Sequence, residues 1–423
     1  MLCYSKIRIS LCVKGSVSNN IYKIFANFLP VYYSRGMEKG KTVPGIGSML
    51  ENRMYKDKRI GLITNQTGVT PGGVPTWKAL LEEGYEITAF FGPEHGFRGE
   101  AQDAVEIEDS TFRGIKTYSL YGRNLAPTSK MLEEVDLLVY DIQDIGSRYY
   151  TYLYTLANSL QFCEQRGMKF VVLDRPNPVG QFPVEGNSIK DKYKSFVGGY
   201  GLTNVYGMTV GEFAAYLKKY FFRNANLDII PVEHYSKQMP FEDTGLPWIS
   251  PSPNIPSLKT ASVYPGTCLF EGTNVSEGRG TTRPFEIVGA PWIDGEVLRE
   301  RLTELQCPGT AFSSLFFTPQ FSKYNNELCQ GVCIHITDRS VYRPLFTGLA
   351  VLHTIHALYP ESFTWKRDWS RDGTYFIDRL LASLPVRRMV ENNEPFEKVY
   401  RELTLDTHVF LKKRESVLLY PNT

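Results

Sequence analysis

Glu94 and His95 stand where a buried run is cut short. The stretch "FFGPEHGFRGEAQDA", Phe90 to Ala104, passes from strand-like residues into Gly-Pro and then sets a carboxylate, an imidazole and an arginine close together. Gly-Pro on one side and His-Gly on the other fix the backbone, so a carboxylate between them gains little as a helix cap. Proton transfer is its expected use, with His95 orienting Glu94 or acting itself. If the reaction is cleavage of a glycosidic bond, one group must protonate the leaving oxygen while a second activates water or attacks carbon. Glu185 in "PVEGN" is the preferred second carboxylate and Glu277 in "VSEGRG" the substitute. Glu271, Asp141 and Asp174 are further candidates. Each of these acids has an ordinary alternative use in a salt bridge or a loop cap.

The elements that must position these groups are legible as four apolar runs: "RIGLITNQTGV", "YEITAFFGPEHG", "VDLLVYDIQDIG" and "KFVVLDRPNPVG". Between them lie helix-like stretches such as "TWKALLEEG" and "YYTYLYTLANSLQFCEQRG", apolar at intervals of three and four residues. Continuous apolar strands alternating with amphipathic helices predict a doubly wound, mostly parallel α/β sheet covered on both faces. The carboxyl ends of such strands share one edge, where ligands bind. Asn65 and Gln66 end the first run, Glu94 the second, Asp141, Gln143 and Asp144 the third, Asp174 and Arg175 the fourth, so all are candidates for substrate contact on one rim. Capping of turns and helices is the competing use. Asp141, Asp144, Asp174 and His95 are conceivable ligands of a divalent metal, but no spacing compels one. Nucleotide binding fits poorly: "GIGSML" precedes the first strand instead of following it, and "GRGTTR" lacks the Gly-Lys-Ser/Thr of a phosphate loop.

The chain is too long for one ordinary core, and two domains are expected: 41–224 as the doubly wound unit and 225–423 as a smaller α/β or α+β unit. Thr209 and Glu212 have capping-box spacing at the start of a helix in "GMTVGEFAAYLKKYFF". The Pro- and Ser-rich "WISPSPNIPSLKTASVYPGT" reads as an extended segment or loop, followed by Gly-rich "LFEGTNVSEGRGTTRPFEIVGAPW". Beyond it a helix near "GEVLRERLTEL", a strand near "GVCIHITD" and a helix through "LFTGLAVLHTIHALYP" are expected. A net charge of +2 with no clustered basic stripe argues against nucleic acid and anionic membrane surfaces as partners. Seven scattered cysteines make neither a disulfide framework nor a zinc site. Residues 1–40 form an N-terminal extension or degraded export signal, and no run of about 20 apolar residues is present to span a membrane.

Taken in order, "GLITNQTGV", "FGPEHGFRGEAQ", "YSLYG", "DLLVYDIQDIGSRYYTYLYTL", "VLDRPNPVG", "VEGN", "YGMTVGE", "SPSPNIPS" and "GTNVSEGRGTTRPFEIVGAPW" resemble the exo-β-N-acetylmuramidase family of NamZ type, from about Ile60 to near the C-terminus. The resemblance implies a Rossmann-like domain with a second, smaller domain and a cleft between them. It also implies release of terminal N-acetylmuramic acid (MurNAc) from peptidoglycan fragments, no cofactor, and a periplasmic or secreted location that the unclear N-terminus leaves open to a cytoplasmic one. Carried onto this chain, it makes Glu94 the first catalytic candidate, with Asn274 among the contacts from the Gly-rich loop. MurNAc bears a lactyl carboxylate, for which Arg148, Arg279 and Arg283 are candidate partners. A glycan-binding protein without activity and a metal-dependent hydrolase are the two other readings.

Overall fold

The apolar runs become strands whose successive side chains point into two different cores. The computed structural model describes residues 40–99, 109–195, 197–368 and 373–421. The N-terminal extension, with Cys3 and Cys12, lies outside them apart from Gly40. From Thr42 onward the chain forms one unit. Its larger sheet contains β1 (Arg59–Thr64), β2 (Glu86–Gly92), β3 (Ser110–Phe112), β4 (Ile115–Ser119), β5 (Leu137–Asp141), β6 (Lys169–Leu173) and β7 (Asn226–Ile230), in the spatial order β3, β4, β2, β1, β5, β6, β7. Only the β3–β4 hairpin is antiparallel. At the centre, Leu62 of β1 lies opposite Phe90 of β2 and Val139 of β5.

Strand residues of one parity pack with α1 (Gly45–Glu51) and α2 (Thr76–Glu82): Leu62, Val139 and Val171 meet Ile46, Met49 and Leu80. Those of the other parity pack with α3 (Tyr152–Arg166) and α4 (Val210–Tyr220): Ile63, Leu138 and Phe170 meet Leu153, Leu156 and Phe213. Burial on both faces is why these strands read as unbroken apolar runs. α3 stops at Gly167, whose φ of 64° supplies the left-handed cap. α4 starts with the expected capping box between Thr209 and Glu212. The Glu212 carboxylate is also ion-paired with Lys237 and accepts the Leu419 amide at 2.8 Å.

The smaller domain has an antiparallel sheet of β8 (Ile287–Ala290), β9 (Thr310–Phe317) and β10 (Cys329–Ile336), with β10 in the middle. The same half of the chain carries α5 (Leu258–Thr267), α6 (Gly295–Glu304), α7 (Pro344–Leu358), α8 (Phe376–Leu381), α9 (Leu384–Glu391), α10 (Phe396–Leu403) and α11 (Thr407–Glu415), the last packed on α4 of the larger domain, where Phe410 meets Tyr216 at 5.9 Å between centroids. α5 corrects the expectation that the Pro-rich segment is an extended stretch or loop, since its second half is helical. Its Ser257 hydroxyl caps the helix by accepting the Thr260 amide at 3.1 Å, and Pro265 falls only two residues before the end. α5 then meets α7 backbone to backbone: a Cβ on Gly266 would lie 2.1 Å from the Pro344 carbonyl, and one on Gly348 2.3 Å from the Gly266 carbonyl carbon. Beyond α11 the chain returns to the larger sheet, where the Tyr420 hydroxyl donates to Asp174 at 2.5 Å and accepts the Val232 amide at 2.9 Å.

Candidate active site

β2 ends in a turn that holds Glu94 up at the sheet edge. A Cβ on Gly92 would lie 2.6 Å from the Phe97 amide nitrogen, so only glycine lets the chain fold back there. The Gly96 amide donates to the Pro93 carbonyl at 2.9 Å, closing a four-residue turn. His95, third in that turn and buried, has a φ of 68°. The half-buried Glu94 accepts a hydrogen bond on Oε2 from the Thr151 hydroxyl at 2.6 Å. Thr151 is the residue from which α3 springs.

Neighbouring elements close around this pair. Tyr152, the first residue of α3, donates its hydroxyl to the Pro251 carbonyl at 2.6 Å. Gln66, beyond β1, donates its amide to the carbonyls of Ser250 and Pro251 at 2.8 and 3.0 Å. The loop after Glu94 presses on Gln66 as well, since a Cβ on Gly99 would meet its amide at 2.1 Å. The ends of β1 and β2, the start of α3 and the Ser250–Pro251 segment therefore converge. A row of aromatic rings leads onward: Tyr152 to Tyr150 at 4.8 Å, Tyr150 to Tyr264 at 6.0 Å, and Tyr264 to Phe285 at 4.8 Å between centroids. Burial holds the Tyr152 and Tyr264 phenols well above their ordinary range, so both keep their protons. The row ends at Arg279, whose guanidinium stands 5.0 Å over Phe285.

At that far end, Arg279 bonds Glu271 at 2.8 Å and pairs with Glu277 at 3.4 Å, while Lys323 bonds Glu277 at 2.8 Å. Burial alone would push the Glu277 carboxyl up, but the charges of Lys323 and Arg279 hold it below the usual range. Glu277 is thus a buried, ionised and doubly paired group. Lys323 also donates to the carbonyls of Phe270 and Val275, so it ties the Gly-rich loop to its own domain.

The other sequence candidates are drawn into structural bonds. Asp141 is buried against Arg175, with contacts of 2.6 and 2.9 Å, and accepts the Thr76 hydroxyl. Asp174 accepts the Thr209 hydroxyl and the Gly211 amide, both at 2.7 Å, and burial raises its carboxyl to about 6. Asp144 is raised to about 6 for the same reason, against the Tyr206 hydroxyl and the Gly146 amide. Gln143 donates to the carbonyls of Asp144 and Pro176, both at 2.8 Å. Asn65 accepts the Thr67 amide at 2.9 Å, but its own amide nitrogen and the amide oxygen of Gln66 are buried with no hydrogen-bond partner among the described residues. Among those residues, no group of three or more His, Cys, Asp or Glu side chains is arranged to hold a metal ion.

Glu185 and Arg148 are buried away from the surface, whereas Arg283 and Asn274 bond within their own domain and stay partly exposed. Glu185 has no exposed surface: it accepts the Tyr400 hydroxyl at 2.5 Å and the Leu345 amide at 2.9 Å, and pairs with Arg343 at 3.3 Å. Burial raises its carboxyl in spite of those partners. It joins the larger sheet's loops to α7 and α10. Arg148, expected to border the cleft, is instead fully buried, with its guanidinium on the carbonyls of Asn187, Leu202 and Leu380 at 3.2, 3.2 and 2.6 Å. Arg283 lies 3.7 Å from Glu286, its neighbour in the loop, and Asn274 clasps Ser362 and Thr364.

Sequence reasoning missed Thr151, Tyr150, Tyr152, Tyr264 and Lys323. The tyrosines look like the apolar stripe of a helix. Lys323 gives no local signal, since its acid is 46 residues away.

Comparison with known proteins agrees with this architecture. Two family models match, exo-β-N-acetylmuramidase NamZ, N-terminal, over residues 60–259, and the corresponding C-terminal model over 262–420. The peptidoglycan β-N-acetylmuramidase NamZ of Bacillus subtilis (strain 168) is 42% identical over 390 residues, covering 90% of this chain and 92% of that protein. Among solved structures, a DUF1343 family protein of Bacteroides fragilis NCTC 9343 superposes with a TM-score of 0.82 at 33% identity, over 90% of this chain and 100% of that one. A second DUF1343 protein of the same strain gives 0.72 at 29%, over 90% and 99%. With both halves matched in order and a close relative aligned along nearly its whole length, the chain belongs to the exo-β-N-acetylmuramidase NamZ family of glycoside hydrolases.

Proposed function

We propose that the protein is an exo-acting glycosidase that releases non-reducing terminal β-linked MurNAc from peptidoglycan fragments, with Glu94 as general acid or base. The observation that carries this reading is the state of Glu94. It sits half-buried at the carboxyl end of a central strand and accepts a hydrogen bond from Thr151. Among the described residues no cation pairs with it, whereas Asp141, Glu185 and Glu277 each face an arginine or a lysine. A carboxylate free of an ion pair can exchange a proton with a glycosidic oxygen or a water without first breaking a salt bridge.

The test is MurNAc release from a chromogenic MurNAc glycoside. Glu94→Gln is expected to lower kcat/KM by about a hundredfold or more while leaving the melting temperature unchanged. A near-normal rate in the folded variant would remove Glu94 from the mechanism. Activity is expected to survive EDTA, because the rim acids Asp141 and Asp174 are already occupied by protein donors. Loss on chelation, restored by one metal ion, would favour a metal-dependent hydrolase. Binding of MurNAc with no release would favour a glycan-binding role.

A further inference from the structure

We infer that Thr151 is a positioning residue that fixes which oxygen of Glu94 is free to handle the proton, an inference that rests on the catalytic reading of Glu94. A threonine at the start of a helix ordinarily turns its hydroxyl onto that helix's own amides. Thr151 does not: it makes no side-chain cap for α3, and its hydroxyl donates across to Glu94 Oε2 at 2.6 Å. Oε1 receives no hydrogen bond from any described residue, so the two oxygens differ. The branched side chain has few rotamers to choose from, which suits a group that must hold one direction.

The backbone beneath Thr151 is held from several sides. Its carbonyl accepts the amides of Tyr154 and Thr155 at 2.9 and 3.2 Å. Three residues earlier, the Arg148 amide bonds the Asn204 carbonyl at 3.0 Å, and the Arg148 carbonyl accepts the Tyr154 hydroxyl at 2.7 Å. The Arg148 guanidinium anchors the same loop to Leu380 of α8. Tyr152, next in sequence, is tied to Pro251. The hydroxyl is therefore presented to Glu94 from a loop braced by both domains, and Thr151 itself is only half-buried, so its replacement leaves no large void.

The experiment compares Thr151→Val, Thr151→Ser, Glu94→Gln and the Glu94→Gln/Thr151→Val double variant on a chromogenic MurNAc glycoside. Thr151→Val, close in shape but without the donor, is expected to lower kcat at least tenfold with KM within about twofold and the melting temperature unchanged. Thr151→Ser should recover most of the loss. In the Glu94→Gln background, Thr151→Val should cost little more, because the group it positions is already gone. Thr151→Ala is the second variant should valine impair folding. The inference is overturned if Thr151→Val keeps full activity while Glu94→Gln is inactive, if serine is as poor as valine, or if the two losses multiply. A fully active Glu94→Gln enzyme would instead remove the catalytic reading of Glu94 and this inference together.

Discussion

Glutamates that look interchangeable in the sequence differ by their partners. Glu94 meets a neutral hydroxyl, Glu277 two cations, and Glu185 a phenol, an amide and an arginine in the interior. Glu185→Gln turns one acceptor oxygen into a donor that faces other donors. It should lower unfolding stability in urea by about 1–3 kcal/mol, the cost of leaving a buried polar group unsatisfied. Its kcat per folded molecule should stay within about threefold of wild type, the reverse of the pattern expected for Glu94→Gln. A stable Glu185→Gln enzyme that has lost its turnover would return Glu185 to the chemistry. The arginines teach the same lesson. Arg148, Arg279 and Arg283 are alike on paper, but the partners of Arg148 lie as far as 232 residues away, and no local pattern announces them.

At the scale of elements, the central strands were readable because burial on both faces demands unbroken apolar residues, and the α4 capping box because its spacing is local. Glu94 was readable for a related reason, since Gly92 and Pro93 mark the strand's stop. The β3–β4 hairpin escaped notice: its two-residue turn is Arg113-Gly114, with φ of 52° and 82°, where Asn-Gly would be the usual signal. α5 was hidden by its proline and serines. Ser257 and Gly266 within the segment suit the helix, but the crossing with α7 that the glycine admits depends on Pro344 and Gly348, far along the chain. Gly348→Ala should therefore cost about 1–3 kcal/mol or more, since backbone on both sides must move to admit the methyl. Gly72→Ala is the control, with no heavy atom nearer than 3.9 Å to the added Cβ, and should change stability by less than about 0.5 kcal/mol. Equal urea midpoints for the two variants would show that the crossing is not tight in solution.

The whole molecule responds to pH through buried acids. Asp144 and Asp174 are raised to about 6 by burial, so between about pH 4 and 6 the folded chain keeps protons that the unfolded chain gives up. Their contribution favours the folded state at the acid end of that window and is lost as pH rises through about 6. Glu277 and Asp136, held low, act in the opposite sense, so the effect is best isolated with one variant. Relative to wild type, Asp144→Asn should gain stability between pH 4.5 and 7, by on the order of 2–3 kcal/mol at most. A difference that stays constant across that range would show that Asp144 does not change its protonation.

The return of the segment after α11 to the first sheet has a consequence for synthesis. Asp174 ends β6, and the tyrosine that shields it lies 246 residues downstream. Glu212 waits 207 residues for the Leu419 amide, as does the Gly207 carbonyl for the Arg414 guanidinium at 2.6 Å. A nascent chain emerging in order can collapse its parallel strands early, but it carries these buried acids and the open carbonyl without their partners until the segment from Arg414 to Tyr420 has been made. Such long-range closure slows folding and leaves the half-finished sheet dependent on protection from aggregation until that segment arrives.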